Sequence, residues 1–273
     1  MTESPSLLLA LTTLLTALLY LLAAWRQVLQ LDQHRHRLPR GISGWGIAAV
    51  AAHLITAIIA ISDSAINLGI YRMTSFIFLS MGILTVLISM RRQLQIMSIV
   101  LFPLAALSIL VATFAPATGR PLESVHPGVQ VHIVASVVAY AVLTLGAFQG
   151  LLVSFQIRNL RQHKTRGVIR HLPALDTMER SFYELIAAAT ALLLVAIISG
   201  GIYIDDLFAQ HLVHKTVLTL LGFIALVVIL IIQWRQGWRV NSAVTLLVSA
   251  YVLISLGFFG SKLVLELIIN TPS

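Results

Sequence analysis

The sequence predicts an all-α fold, a polytopic membrane helix bundle of about eight transmembrane helices, forming a single integral membrane domain over residues 1–273 with both termini outside. Three observations predict it. Hydrophobic residues make up 58% of the chain and charged residues only 10%. The apolar residues gather in runs of about the 20 residues that a helix needs to cross a bilayer. Fourteen of the 18 Lys and Arg residues fall in alternate gaps between those runs, the bias of loops that stay on the cytoplasmic side.

The runs lie near residues 6–25, 45–62, 74–90, 96–114, 129–155, 183–204, 211–233 and 241–267. Run one has no basic residue before it and carries Glu3 there, so it reads as an outward-starting anchor helix rather than a signal peptide. Arg26, Arg35, Arg37 and Arg40 follow it, and Arg91 and Arg92 follow run three. The gap after run five is the longest, near residues 156–182, and it carries Arg158, Arg161, Lys164, Arg166, Arg170 and Arg180. Within it Leu172-Pro173 is a turn signal, and Asp176 with Glu179 three residues on predicts a capped short helix before run six. Arg235 and Arg239 follow run seven, whereas the opposite gaps and the C-terminal end hold only Arg72, Arg120, Lys215 and Lys262. Pro103 lies inside run four. Trp25, Trp45, Trp234 and Trp238 all fall at the predicted cytoplasmic ends, where amphipathic indoles settle.

The net charge of +8 is accounted for by the basic loops, and no basic stripe interleaves with aromatics as a nucleic-acid groove requires. The partner that this composition predicts is membrane lipid. The absence of cysteine removes disulfides, thiolate zinc, iron–sulfur clusters and covalent CxxCH haem attachment.

The histidines carry the chemistry. His34, His36, His163 and His171 sit in basic loops and read as solvated. His53 lies about 12 Å into run two. An imidazole at that depth requires a hydrogen-bond partner or a ligand, and packing on a neighbouring helix is the first reading. His126, His132, His211 and His214 lie on the outer side. His132, Ser136 and Tyr140 recur at i, i+4 and i+8 and so share one helix face. Such a face is costly in lipid unless it meets protein or a cavity. His211 and His214 share a face at i, i+3. Imidazoles from two helices can ligate haem iron axially, or hold zinc if further ligands join them; a hydrogen-bonded structural role is the first reading for any one of these residues.

The stretches 131-VHIVASVVAYA-141, 172-LPALDTMER-180, 200-GGIY-203, 215-KTVLTLLGF-223, 236-QGWR-239 and 257-GFFGSK-262 together make the chain resemble the cytochrome c assembly family. This is the CcsA, CcmC and CcmF group of haem-handling membrane proteins, and the resemblance is closest to the YpjD and HemX type branch. It is strongest over residues 126–267 and follows the family's order. It implies a multi-pass protein of the bacterial inner membrane, non-covalent haem b as cofactor, and a cytochrome maturation or tetrapyrrole-synthesis protein as partner. His132 matches the first outer haem-ligating histidine, and His214 or His211 would supply the second ligand. Lys215, Lys262 and Arg120 are candidate propionate partners, and Tyr140 extends the polar face. The chain departs from the family where 205-DDLFAQHLVHKTV-217 holds no tryptophan, where Ile231 replaces a histidine, and where Ser261 and Lys262 follow the last Gly-Phe-Phe-Gly. No catalytic residue is assigned. The alternative implied by the HemX branch is a regulatory membrane protein that kept the fold without haem chemistry and works through the loop at 156–182.

Overall fold

The computed structural model describes residues 5–33, 44–64, 66–89, 95–116, 121–122, 126–163, 169, 172–203, 213–237 and 240–260. These residues form α1 (Leu7–Gln33), α2 (Gly44–Ser64), α3 (Ile70–Ser89), α4 (Gln95–Phe114), α5 (Pro127–Arg161), α6 (Leu175–Tyr203), α7 (Val213–Gln236) and α8 (Val240–Ser255). The last helix runs on into a π-helical turn, Leu256–Gly260. All eight helices are long and apolar enough to cross a membrane, and the protein is a multi-pass membrane protein. Two residue pairs form the described extended structure: β1 (Ile66–Asn67) pairs antiparallel with β2 (Pro121–Leu122). That pairing ties the α2–α3 and α4–α5 connections together on one side of the first helices.

The chain forms two compact units, Met1–Ser124 and Val125–Val264. In the first unit α1 packs on α4 and α2, and α3 packs on α4. Ala17, Ala23, Ala24, Ala49, Ala105 and Ala106 line these contacts around Tyr20 and Phe102. Small side chains let the backbones approach closely, which is how helices associate where lipid offers no hydrophobic drive. A polar seam runs through the same interfaces. Thr13 and Thr113 lie 3.0 Å apart, and Thr16 and Thr56 lie 3.1 Å apart. Leu8, Leu11, Leu15 and Leu18 on the opposite side of α1 are exposed, as lipid-facing positions are.

In the second unit α5 packs chiefly on α6 and then on α8, while α7 packs on α8 and the π-helical turn. At 35 residues, α5 is about 52 Å long, more than a hydrocarbon core of about 30 Å. Its surplus carries Arg158 and Arg161 in the last turn. Of the tryptophans among the described residues, Trp25 and Trp234 are exposed near helix ends, and the Arg26 guanidinium stacks 5.3 Å over the Trp45 ring.

The expected capped short helix before run six is not found. One continuous helix starts at Leu175, the Met178 amide bonds the Ala174 carbonyl, and Asp176 lies in the first turn rather than at the cap. The charges of Asp176, Glu179, Arg180 and Glu184 mask the periodicity there, but Met178, Phe182, Leu185 and Ile186 form one buried face from the outset.

Candidate functional site

His132 lies in the second turn of α5, half-buried against α6. Its Nδ1 is 2.7 Å from the Ala196 carbonyl oxygen. A carbonyl can only accept, so Nδ1 carries the proton and donates. The ring then presents Nε2, which has no hydrogen-bond partner among the described residues. The ring is held from below as well. A Cβ at Gly200 would lie 2.9 Å from His132 Nδ1 and 3.0 Å from Cε1, so glycine at 200 is what lets the imidazole lie flat on α6. Ser199 Oγ also donates to the Ala196 carbonyl, at 3.1 Å. An imidazole whose Nδ1–H is tied to a backbone carbonyl is the arrangement in which Nε2 serves as a metal ligand.

Nearly two turns toward the helix start, His126 caps α5: its Nδ1 accepts from the Gly128 amide at 3.1 Å. Its ring stacks on Tyr203 with centroids 5.1 Å apart. A Cβ at Gly128 would run into that Tyr203 ring. The start of α5 is therefore clamped to the end of α6 by the Tyr203 ring, ahead of His132.

Tyr140 is on the face expected from the spacing, about 12 Å along the axis from His132, and it meets α8 rather than α6. Its hydroxyl donates to the Tyr251 hydroxyl at 3.1 Å and lies 2.9 Å from Ser255 Oγ. Ser255 in turn donates to the Tyr251 carbonyl at 2.6 Å. The Tyr140 ring stacks on Phe258 at 5.3 Å and meets Phe259 edge-on at 5.5 Å. The π-helical turn carries both phenylalanines, and on its other side Gly257 packs on the first turns of α7. A Cβ there would stand 3.3 Å from the Lys215 carbonyl oxygen. The last Gly-Phe-Phe-Gly thus joins three helices: α7 through Gly257, and α5 to α8 through the rings on Tyr140.

The other expected site residues fall as follows. His214 is exposed in the first turn of α7, next to Lys215. His211, Arg120 and Lys262 lie outside the described residues. The structure adds three residues not singled out from sequence as site residues: Ala196, Gly200 and Tyr203. The motif at 200–203 was the one available signal for the latter two. Among the described residues no three His, Asp or Glu side chains come together.

His53 is 1% exposed and engaged at both nitrogens, with the Tyr20 hydroxyl 3.1 Å from Nδ1 and Ser75 Oγ 2.9 Å from Nε2. The ring meets Tyr20 edge-on, with centroids 5.6 Å apart. Neither nitrogen is left for a ligand, so His53 bridges α1, α2 and α3 as a structural residue. This answers the choice between partner and ligand that its depth posed.

Comparison with known proteins matches the cytochrome C assembly protein family over residues 67–269. The chain is similar to the inner membrane protein YpjD of Escherichia coli K12, 25% identical over 228 residues, covering 81% of this chain and 85% of that protein. It is also 30% identical over 148 residues to an uncharacterized 28.8 kDa protein of Azospirillum brasilense, covering 53% of this chain and 55% of that one. No solved structure matches it.

Proposed function

The chain belongs to the cytochrome C assembly protein family, and on that premise we propose that it binds haem b non-covalently at the outer end of α5 and helps to move or present haem during cytochrome maturation. The carrying observation is the bond from His132 Nδ1 to the Ala196 carbonyl. It commits the ring to the tautomer whose Nε2 can ligate iron. His132 would be the first ligand to the iron. His214 is the proposed second, with His211 as the other candidate, and Lys215 and Lys262 are the proposed propionate partners, because a cation offsets carboxylate charge. The name of the Escherichia coli relative supports an inner-membrane location.

The donor set fits the group: an imidazole whose other nitrogen is held by the protein could bind haem iron. Bound haem would supply the redox-active iron that an apocytochrome requires. The chain's own residues would hold it, orient it and release it. The clamp of His126, Gly128 and Tyr203 fixes the depth of His132 relative to α6, and Gly200 fixes the tilt of the ring.

The test is the optical spectrum of the detergent-purified protein with and without added haemin. A Soret band that shifts on reduction and is lost in His132→Ala supports the proposal. A protein that stays colourless with haemin overturns it in favour of the regulatory reading. His53→Leu is the internal control, since both of its ring nitrogens are occupied by protein and its loss should leave the band in place.

A further inference from the structure

The second unit carries a cavity of about 770 Å³ at the end of α5 opposite to His132, within the roughly 300–1,000 Å³ of small-molecule sites. Its described wall comes from three helix ends: the last turns of α5 and the first turns of α6 and α8. Along α5, Arg161 lies about 44 Å from His132, so the cavity belongs to the other boundary of the membrane and to a different chemistry.

The polar part of the wall holds Arg161, Glu179, Asn241 and Ser242. Arg161 and Glu179 share the cavity without forming an ion pair among the described residues. Asn241 Oδ1 accepts from Ser154 Oγ at 3.2 Å, which leaves its amide hydrogens to donate, and the Ser242 hydroxyl has no partner among the described residues. The cavity therefore offers a guanidinium, an amide and a hydroxyl as donors, and one carboxylate as acceptor. Leu160 and Val240 supply apolar wall beside them. Leu160 is exposed, so the apolar wall reaches the surface of the helices.

We propose that this cavity holds the head group of one aminophospholipid of the phosphatidylethanolamine type. The phosphate takes the donors of Arg161, Asn241 and Ser242, the ammonium takes Glu179, and the acyl chains leave along Leu160. A zwitterion satisfies both signs at once, whereas a purely anionic head group would leave Glu179 facing like charge. The apolar wall and the place of the cavity at helix ends select a membrane lipid over a soluble phosphate ester.

The experiment uses the full chain in detergent, with native mass spectrometry after addition of dioleoyl phosphatidylethanolamine or dioleoyl phosphatidylglycerol. One phosphatidylethanolamine should stay bound at collision energies that strip phosphatidylglycerol. Glu179→Gln should abolish that preference, and Arg161→Gln should weaken retention of both lipids by about three- to fivefold, the scale of a partly solvated charge contact. If Glu179→Gln loses helicity or elutes as aggregate, Ser242→Leu reads the same site and should lose phosphatidylethanolamine retention. Equal retention of the two lipids by the native chain overturns the proposal, as does a preference that survives Glu179→Gln. Displacement by soluble phosphoethanolamine at equal concentration overturns lipid as the occupant.

Discussion

Two adjacent glycines make an internal experiment on the His132 site. A Cβ built at Gly200 stands 2.9 Å from His132 Nδ1 and 3.0 Å from Cε1, whereas one built at Gly201 meets nothing within 4 Å. Ordinary heavy-atom contact lies near about 3.5–4.0 Å. The methyl in Gly200→Ala therefore has to push the ring away by roughly half an ångström or more. The hydrogen bond to the Ala196 carbonyl is 2.7 Å long, and N–H···O bonds are made up to about 3.2 Å, so a shift of that size stretches it to its limit and weakens its hold on the ring. Losing the group that orients a ligating histidine costs about 10–100-fold in affinity. The fold should survive, because alanine is favoured over glycine inside a helix by about 1 kcal/mol, which offsets part of an overpacking cost of about 1–3 kcal/mol. The assay is a haemin titration followed at the Soret band, beside thermal melts of the same preparations. Gly200→Ala should bind haemin at least about tenfold more weakly with little change in melting, and Gly201→Ala should match the native protein in haemin affinity. Equal affinity in all three proteins would refute the claim that the orientation of His132 holds the haem.

Tyr140→Phe keeps the ring contacts to Phe258 and Phe259 and removes the hydroxyl shared with Tyr251 and Ser255. It should lower stability by about 1 kcal/mol in denaturation followed by circular dichroism, with haemin affinity changed less than in Gly200→Ala. His53→Leu leaves the buried Tyr20 hydroxyl and Ser75 without their shared partner. At about 0.6–1.7 kcal/mol for each interhelical bond in a membrane, the loss should be about 1–3 kcal/mol, and a stability equal to the native protein would count against the bridge. Reporter fusions after Ile70, Pro121 and Asp206 should report the outer side, and fusions after Arg37, Arg92, Thr165 and Gln236 the inner side. A reversed pattern would move His132 and its cap to the cytoplasm and with them the proposed role.

The helices were legible because the bilayer forces every spanning segment to satisfy its own backbone and to be apolar throughout. Composition alone therefore marks eight of them. What the pattern lost lay at the boundaries. The first three turns of α6 carry four charges beside their buried face, so hydropathy started the helix late. The π-helical turn at Leu256–Gly260 needs one altered hydrogen-bond register and leaves no compositional trace. The pairing of Ile66–Asn67 with Pro121–Leu122 uses too few residues to show any alternation.

The site was legible to the same depth and no further. Spacing put His132, Ser136 and Tyr140 on one face and required that face to meet something polar. It could not say what, because the partner of His132 is a backbone carbonyl, which every residue possesses. Its owner, Ala196, is 64 positions away and chemically silent. Helix packing then divides the face, sending His132 to α6 and Tyr140 to α8. The same limit held for His53. Its depth demanded a partner, but Tyr20 and Ser75 come from two other helices, 33 and 22 residues away. The two buried-side histidines consequently differ in the one respect that decides their chemistry. Both rings of His53 and His132 are fixed by the protein, yet in His53 the second nitrogen is bonded too, and in His132 it is not bonded among the described residues. A residue type marks where an imidazole must be accommodated; only the count of its occupied nitrogens tells whether it is left able to bind.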